Sequence, residues 1–382
     1  MAGGRAAARA LVAAALALGV GGLSGCTQVL PIGHNAVIVA FAMDRGPGSQ
    51  VTTTMQITHE QPISALPGPG GGATATAGGG GGSQQPTVQM VQGSGANVYQ
   101  AIDAAQAQTD AYINFWATDL LLLGSGLAQG GLRGPMDFVL RDSAFSMSSE
   151  VAVVDGRAGT FLGQPTAIGG PMGGALIQLL YRSAATALGS IPIPLWRFLS
   201  RLETPYRAAW APVFASTPNG FQASGTAVFR DDRLAAILDP QQTAALGWLI
   251  KRGGYAPVNF TATNGEALTM RVRTRRVQIT VSSPQSAVLK VMLRGGLREG
   301  PGFLLSSRPT IQMVDHRAAV AATTQLRAML DRLQAAGSDV LGFGAIVRER
   351  DPAAVHTWAT TFSHMRIRIA VKVWVVPNGR LG

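Results

Sequence analysis

The chain contains one cysteine, Cys26, so no disulfide bond can form within it and its fold has to be held together by packing alone. This cysteine directly follows the sequence LSG at residues 23–25 and an apolar N-terminal segment that begins with Arg5 and Arg9. A positive start, a short apolar stretch and small residues before the cleavage point are typical of a secretory signal peptide. With a cysteine in the next position, the pattern predicts a bacterial lipoprotein signal over residues 1–25.

Acylation of Cys26 would decide where the mature chain resides. The apolar stretch at residues 10–20 is too short for a spanning helix, which needs about 20 apolar residues. Two acyl chains on the Cys26 thioether would give stable anchoring, whereas one chain gives only marginal binding. We therefore expect the mature protein to begin at Cys26 and to lie, lipid-anchored, on the outer face of a cytoplasmic membrane. A cysteine that follows a plain secretory signal by chance is the disfavoured alternative.

The chain is strongly basic, with a formal net charge of +11 that falls to +9 when Arg5 and Arg9 leave with the signal peptide. Such a charge outside a membrane favours attraction to acidic lipid head groups. No helix-turn-helix, zinc-finger or aromatic RNA-binding signature accompanies the scattered arginines, and this disfavours a nucleic-acid partner.

The length of 382 residues and the 47% hydrophobic content allow several cores. We predict an α+β protein of three domains, each a mixed β-sheet with flanking helices. The predicted domains are an N-terminal α/β domain at residues 26–200, a small middle domain of a hairpin and a helix at 201–256, and a C-terminal α/β domain at 257–382. A glycine-rich stretch at 67–82 is interpreted as a flexible surface insertion, because its composition cannot bury enough apolar surface. No Gly-Lys-Ser/Thr sequence follows these glycines, which disfavours a phosphate loop.

Local patterns predict the order of helices and strands. In the first half we expect a hairpin at residues 36–42 and 50–58 around turn residues 44–48, then helices at 97–107 and 130–141 and strands at 120–123 and 150–154. In the second half we expect strands at 224–229 and 234–238, a helix from Asp239 to Leu249, and strands at 269–281 and 365–375. A helix at 315–336, ending at Gly337, is predicted to place Val320, Leu326, Met329, Leu330 and Leu333 on one side.

Two groups of side chains have open interpretations. Trp196, Tyr206 and Trp210 could form a ligand platform or interdomain packing, and we favour packing. Arg271, Arg273 and Arg275 alternate along one strand and could form a solvated face or an anion-binding stripe, and we favour the solvated face.

A search for catalytic chemistry finds little. The five histidines have no paired spacing of metal ligands, and the Gly-x-Ser-x-Gly pattern of serine hydrolases is absent. Asp231 and Asp232 fall in an evident turn, where a solvated role is favoured over acid-base catalysis. We therefore expect no enzyme activity, no cofactor and no metal.

Several blocks, taken in order, resemble the Ger(x)C family of spore germination lipoproteins, the C subunits of nutrient germinant receptors. The first is DLLLLG at 119–124 followed by GLRGPMDF at 131–138, and the second is SGTAVFRDDRL at 224–234. The motif most typical of the family is similar to SDVLGFG at 338–344, which is followed by Asp351, Pro352 and Trp358. The chain departs from the family at residues 27–30, in its glycine-rich insertion and at Ala345.

The resemblance implies a non-enzymatic, three-domain subunit on the outer surface of the inner spore membrane. It also implies partners, an A subunit with soluble and membrane parts and a transporter-like B subunit. The alternative from another class is a solute-binding lipoprotein of a membrane transporter, which a deep pocket between two similar lobes would favour. Within residues 338–344, Phe343 could anchor the core or a partner, and we favour a structural corner in which Asp339 caps the next helix.

Overall fold

The computed structural model describes residues 35–58, 88–166, 170–186, 190–250, 255–299 and 307–376. Apart from Asn35, these residues belong to one compact unit that begins at Ala36. The predicted signal peptide, the lipidation site Cys26 and the glycine-rich insertion at 67–82 lie outside the described residues.

In the described part of the chain, nine strands form the first sheet. They are β1 (Asn35–Arg45), β2 (Val51–Thr58), β3 (Val88–Gly95), β4 (Tyr112–Asn114), β5 (Leu120–Gly124), β6 (Glu150–Val154), β7 (Trp210–Thr217), β8 (Gly220–Arg230) and β9 (Arg233–Leu238). Their order is β3-β2-β1-β5-β6-β7-β8-β9, and β4 pairs with β1. Strands β1, β5, β6 and β7 pair in parallel, whereas the pairings at both ends of the sheet are antiparallel.

Helices cover both faces of the parallel strands, so these strands are apolar on both sides. Phe41 and Leu121 point to one core, and Ala42 and Leu122 point to the other. The second core includes Phe161. The helices of this half are α1 (Val98–Gln106), α2 (Ser125–Gly130), α3 (Arg133–Arg141), α4 (Ala158–Leu162), α5 (Met172–Thr186) and α6 (Leu195–Leu202).

The second sheet has the order β10-β11-β12-β13 in the described residues. Its strands are β10 (Tyr255–Thr261), β11 (Ala267–Ser283), β12 (Ser286–Glu299) and β13 (Arg366–Val375), and only the β12–β13 pairing is parallel. Helices α7 (Pro240–Ile250), α8 (Arg308–Ala335), α9 (Phe343–Arg348) and α10 (Trp358–Ser363), with a 3-10 turn at Ala353–Val355, complete this half. Their apolar faces and the inner face of the sheet share one continuous core with the first sheet.

The mixed sheets with flanking helices confirm the predicted fold class, and most predicted elements lie where the patterns placed them. The hairpin of β1 and β2, helix α1, strands β5 and β6 and the β8–β9 hairpin are all observed. Asp239 begins α7 as expected, because its side chain accepts the Gln242 N–H at 2.8 Å. Strands β7, β8 and β9 fall within the residues that the sequence assigned to a middle domain. They belong to the first sheet, because β7 pairs with β6. The three-domain division itself stays a prediction.

Three details differ from the local predictions. The helix expected near residues 130–141 is observed as α3 but begins at Arg133, because the chain turns before Leu132, whose N–H donates to the Asp232 carbonyl. Helix α8 begins at Arg308, well before residue 315, because Ser307 caps it and a proline lies in its first turn. Val320 of that helix is 53% exposed, and the smaller Ala318 and Ala322 are buried instead.

Candidate functional site

Residues 338–344, here called the corner motif, connect the end of α8 to the start of α9. The Ser338 hydroxyl donates to the Phe229 carbonyl of β8 at 2.6 Å. The Ala208 N–H, which precedes β7, donates to the Asp339 carbonyl at 2.9 Å. The motif therefore ties the helices behind the second sheet to the antiparallel end of the first sheet.

The carboxylate of Asp339 is buried and accepts three hydrogen bonds. Its Oδ1 accepts the Gly342 N–H at 2.8 Å, and its Oδ2 accepts the Gly344 N–H at 2.7 Å. The indole N–H of Trp358 also donates to Oδ2, at 2.9 Å. Asp339 thus caps the start of α9 and fixes Trp358, as the sequence predicted for the capping role.

Both final glycines of the motif are required by geometry. Gly342 has a φ of +80°, in the left-handed region that favours glycine. A Cβ added to Gly344 would lie 2.5 Å from the indole nitrogen of Trp358. A larger residue at position 344 would therefore displace the indole from Asp339.

Phe343 is fully buried and packs against Phe362, with ring centroids 5.9 Å apart. Phe362 in turn lies 6.3 Å from the Trp358 ring. The side chain of Phe343 belongs to the core, so the interpretation of the motif as a structural corner is confirmed.

The chemistry of Asp339 follows from its surroundings. Burial raises the pKa of this carboxyl, and the hydrogen bonds from Gly344, Trp358 and Gly342 oppose that rise. Both oxygens accept N–H groups of the fold itself, on the corner motif and on Trp358. Its role is to hold the corner.

Arg201 supports the corner from α6. Its guanidinium donates to the carbonyls of Ala208 at 2.7 Å and Val340 at 3.0 Å, and it lies 4.3 Å from the centroid of the Trp210 ring. Burial, with smaller contributions from the neighbouring Arg207 and Arg197, lowers the pKa of Arg201 to about 9. The side chain still carries its charge at neutral pH, and no sequence pattern indicated this contact.

Trp196, Tyr206 and Trp210, which could form either a ligand platform or interdomain packing, have different environments. Trp210 is buried under Arg201 and donates its indole N–H to the Ile191 carbonyl at 3.2 Å. Tyr206 is partly buried, with the Arg348 guanidinium 4.7 Å from its ring centroid. Trp196 is 57% exposed. Packing is therefore confirmed for Trp210 and Tyr206.

The carboxyl edge of the parallel strands is where open α/β sheets usually bind ligands. Here Asp44, predicted as a turn residue, is the buried penultimate residue of β1. Its two oxygens accept the N–H groups of Ala158 and Gly159, each at 2.8 Å, at the start of α4. The protein's own carboxylate thus occupies the amide groups that an anionic ligand would use.

Two adjoining surface pockets of about 310 and 500 Å³ lie between α1 and α3 and share Tyr99, Phe138 and Asp142. The salt bridge between Arg141 and Asp137, at 2.8 Å, borders the larger one. Both belong to the first-sheet half of the molecule. The two sheets differ in strand number and order, so the described residues do not form the two similar lobes expected of a solute-binding lipoprotein.

The Asp231–Asp232 turn has a structural use, because the Asp232 carboxylate accepts the Arg133 N–H at 3.1 Å and begins α3. Among the described residues, no group of three or more His, Cys, Asp or Glu side chains could hold a metal ion. Of the five histidines, His34 and His59 lie outside those residues, and His316, His356 and His364 are exposed. No helix within the described ranges is long and apolar enough to cross a membrane.

Comparisons with known proteins agree with this architecture. A family model described as spore germination protein N-terminal domain matches residues 30–216. A second, described as spore germination B3/GerAC like, C-terminal, matches residues 224–379. No curated protein sequence gives a significant match.

Among solved structures, the chain is similar to the crystal structure of the GerBC protein, with a TM-score of 0.54 and 16% sequence identity. The similarity covers 88% of this chain and 96% of that one, so the two share a fold over nearly their whole length. The two family models follow each other along the sequence and together match most of the chain, and they show its family. The chain belongs to the Ger(x)C family of spore germination proteins.

Proposed function

We propose that this protein is the lipid-anchored C subunit of a spore nutrient germinant receptor and that it acts with membrane-embedded A and B subunits. The observation that carries the proposal is the match of both family models, in order, over residues 30–216 and 224–379. The fold shared with GerBC supports it, because the family's architecture extends over the whole described chain.

The anchor in this proposal is a lipid on Cys26. The signal at residues 1–25 supports it, because small residues precede Cys26 at the cut site and its thiol can carry a diacylglyceryl thioether. Attachment through two acyl chains would raise the local concentration of the folded unit at the membrane, so that weak lateral contacts with integral subunits become occupied. The proposed location is the outer face of the inner spore membrane.

The role we propose is non-enzymatic. Two buried aspartates, Asp44 and Asp339, act as caps for α4 and α9, with all four oxygens accepting N–H groups of the fold. Carboxylates used in this way stabilise the scaffold by capping helices, and this use supports a structural role for both. The subunit would contribute surfaces to the receptor, and the membrane subunits would carry the signal across the membrane.

The anchoring proposal predicts that Cys26→Ala moves the protein out of the membrane fraction. The acyl chains supply the membrane affinity, and alanine cannot form the thioether. Fractionation followed by immunoblotting measures this, with Ser24→Ala as a matched control that changes the signal but keeps the cysteine. A Cys26→Ala protein that stays in the membrane as fully as wild type contradicts the proposal.

The receptor assignment predicts that the tagged full-length chain, solubilised in mild detergent from spore membranes, retains A-like and B-like membrane subunits. Spores without the chain should also lose the response to at least one nutrient. Mass spectrometry of the purified complex and optical-density germination assays provide the two measurements. Recovery of transporter subunits, together with normal germination of spores without the chain, would instead favour the solute-binding alternative.

A further inference from the structure

The outward face of the second sheet is densely basic. Residues 269–298 and 366–375 contain ten basic residues and no acidic residue, in a chain with 31 basic and 20 acidic residues. Eight of the ten occupy outward positions of β11, β12 and β13, as the registers show. We call this the basic face; its basic residues are Arg271, Arg273, Arg276, Lys290, Arg294, Arg366, Arg368 and Lys372.

The strands' burial pattern shows that the basic face is open. The inward side chains, such as Met270, Leu289 and Val373, are buried against the helices of this half. The outward side chains are exposed or half-buried along all three strands. In the described part of the chain, no helix packs on the outward face. From strand geometry, four strands about 4.8 Å apart and about ten residues long give an area of about 14 by 33 Å.

A β-bulge keeps the arginines together. The register of β11 against β12 shifts between Thr274 and Arg276, so the outward positions change from odd to even numbers at this point. Arg271 and Arg273 before the bulge therefore share a face with Arg276 after it. Without the shift, Val277 and Ile279 would point to solvent and the basic residue Arg276 would point into the core.

Aromatic side chains lie among these cations. One row across the sheet pairs Tyr255 with Arg273, Arg273 with Arg294 and Arg294 with Trp374. The Arg271 guanidinium lies 4.4 Å from the centroid of the Tyr255 ring, and Trp374 is 44% exposed. Guanidinium groups bind phosphate oxygens in bidentate fashion, and tryptophan prefers the boundary between lipid and water.

We propose that the basic face binds anionic phospholipid head groups and lays the second sheet against the membrane. Charge complementarity and the exposed tryptophan together fit a lipid surface. The proposal goes beyond the proposed function, because it requires no acyl chain. The proposed lipid anchor would assist this binding. The compact unit begins ten residues after Cys26, and ten extended residues span at most about 36 Å, so the anchor would keep the basic face near the bilayer.

The test is co-sedimentation of the mature-length chain, from residue 26 and carrying Cys26→Ala, with phosphatidylcholine vesicles that contain or lack phosphatidylglycerol. We expect binding only to the anionic vesicles and a loss of binding at high salt, because exposed charges are then screened. If this chain does not bind anionic vesicles while the wild-type protein is still anchored to spore membranes through Cys26, the proposed function stands and only this inference is overturned.

Two matched variants locate the binding surface, and each removes four positive charges from exposed positions of the chain. The face variant combines Arg276→Gln, Lys290→Gln, Arg294→Gln and Lys372→Gln. The control variant combines Arg157→Gln, Arg308→Gln, Arg317→Gln and Arg332→Gln. Each basic residue near an anionic surface contributes about fivefold in affinity. The face variant should therefore bind the anionic vesicles at least about 100-fold more weakly than wild type. The control variant should bind about as well as wild type.

Tryptophan fluorescence gives an independent readout of the same face. Anionic vesicles should shift the emission to shorter wavelength, and Trp374→Phe should abolish most of that shift, whereas Trp196→Phe should retain it. Circular dichroism should show unchanged folding for every variant, since all the replaced side chains are at least partly exposed.

Three results would overturn the proposal. Equal weakening by the face and control variants would show that only net charge matters. Equal binding to neutral and anionic vesicles would show that the basic side chains of the face do not recognise anionic head groups. Binding of poly-glutamate through the basic face, with no vesicle binding, would assign the face to an acidic protein partner instead.

Discussion

Replacing Phe343 with alanine is expected to lower the free energy of unfolding by about 3–5 kcal/mol, the usual cost of truncating a buried aromatic side chain. The ring is fully buried and packs against Phe362, next to the indole that Asp339 holds. Truncation would open a cavity where the corner motif joins the two sheets. Urea unfolding of the full-length mature chain, followed by circular dichroism, measures the change.

Trp196→Ala is the matched control, because it truncates a larger aromatic side chain that is 57% exposed. Its cost should stay below about 1 kcal/mol, as for other surface substitutions. A Phe343→Ala protein that unfolds like wild type but no longer co-purifies with membrane subunits would contradict the core assignment, and would make Phe343 a partner contact.

Replacing Asp339 with asparagine is expected to cost about 2–4 kcal/mol, although the two side chains have nearly the same shape. The carboxylate accepts from three N–H groups with two oxygens. Asparagine offers one oxygen, so its NH₂ group would face at least one buried N–H donor. Asp232→Asn is the control, because the carboxylate of Asp232 accepts the N–H of Arg133 at an exposed site.

The cost of Asp339→Asn should depend on pH. Because burial raises the pKa of Asp339 in the folded state, the native protein binds more protons than the unfolded chain above a pH of about 4, the unfolded value for aspartate. Wild-type stability from this group is therefore greatest below that pH and falls as the pH rises toward the folded pKa. Asparagine does not titrate, so the difference in stability between wild type and variant should narrow as the pH rises.

Urea midpoints of both proteins at a series of pH values measure this difference. A gap that widens with rising pH would mean that the three hydrogen bonds outweigh burial and lower the pKa of Asp339.

Local sequence patterns predicted helices and strands correctly where a single factor, such as an apolar run or a capping residue, determined the local structure. The continuous apolar runs of β5 and β6 predicted strands buried on both faces, and the Asp239–Pro240 pair predicted the start of α7. The sequence also supported the capping role of Asp339, because this residue follows the helix stop at Gly337 and aspartate is a preferred capping residue.

Predictions from periodicity failed where a β-bulge shifts the strand register, and where tertiary packing determines which side of a helix is buried. The bulge near Arg275 changed the phase of β11, which a fixed alternation cannot represent. Val320 was assigned to the buried side of α8, but close packing of that helix places Ala318 and Ala322 there. In both places, contacts distant in sequence outweighed a small local preference.

By itself, the sequence determined the predicted lipid anchor at Cys26, the mixed α/β class and the family resemblance, because each depends on residue types at short, fixed spacing. Only the tertiary structure decided that Asp44 fills the carboxyl edge of the first sheet, that Arg201 and Ser338 tie the corner motif to β7 and β8, and that eight scattered cations form one face. These features join residues that lie up to about 140 positions apart, and strand pairing and core packing alone bring them together.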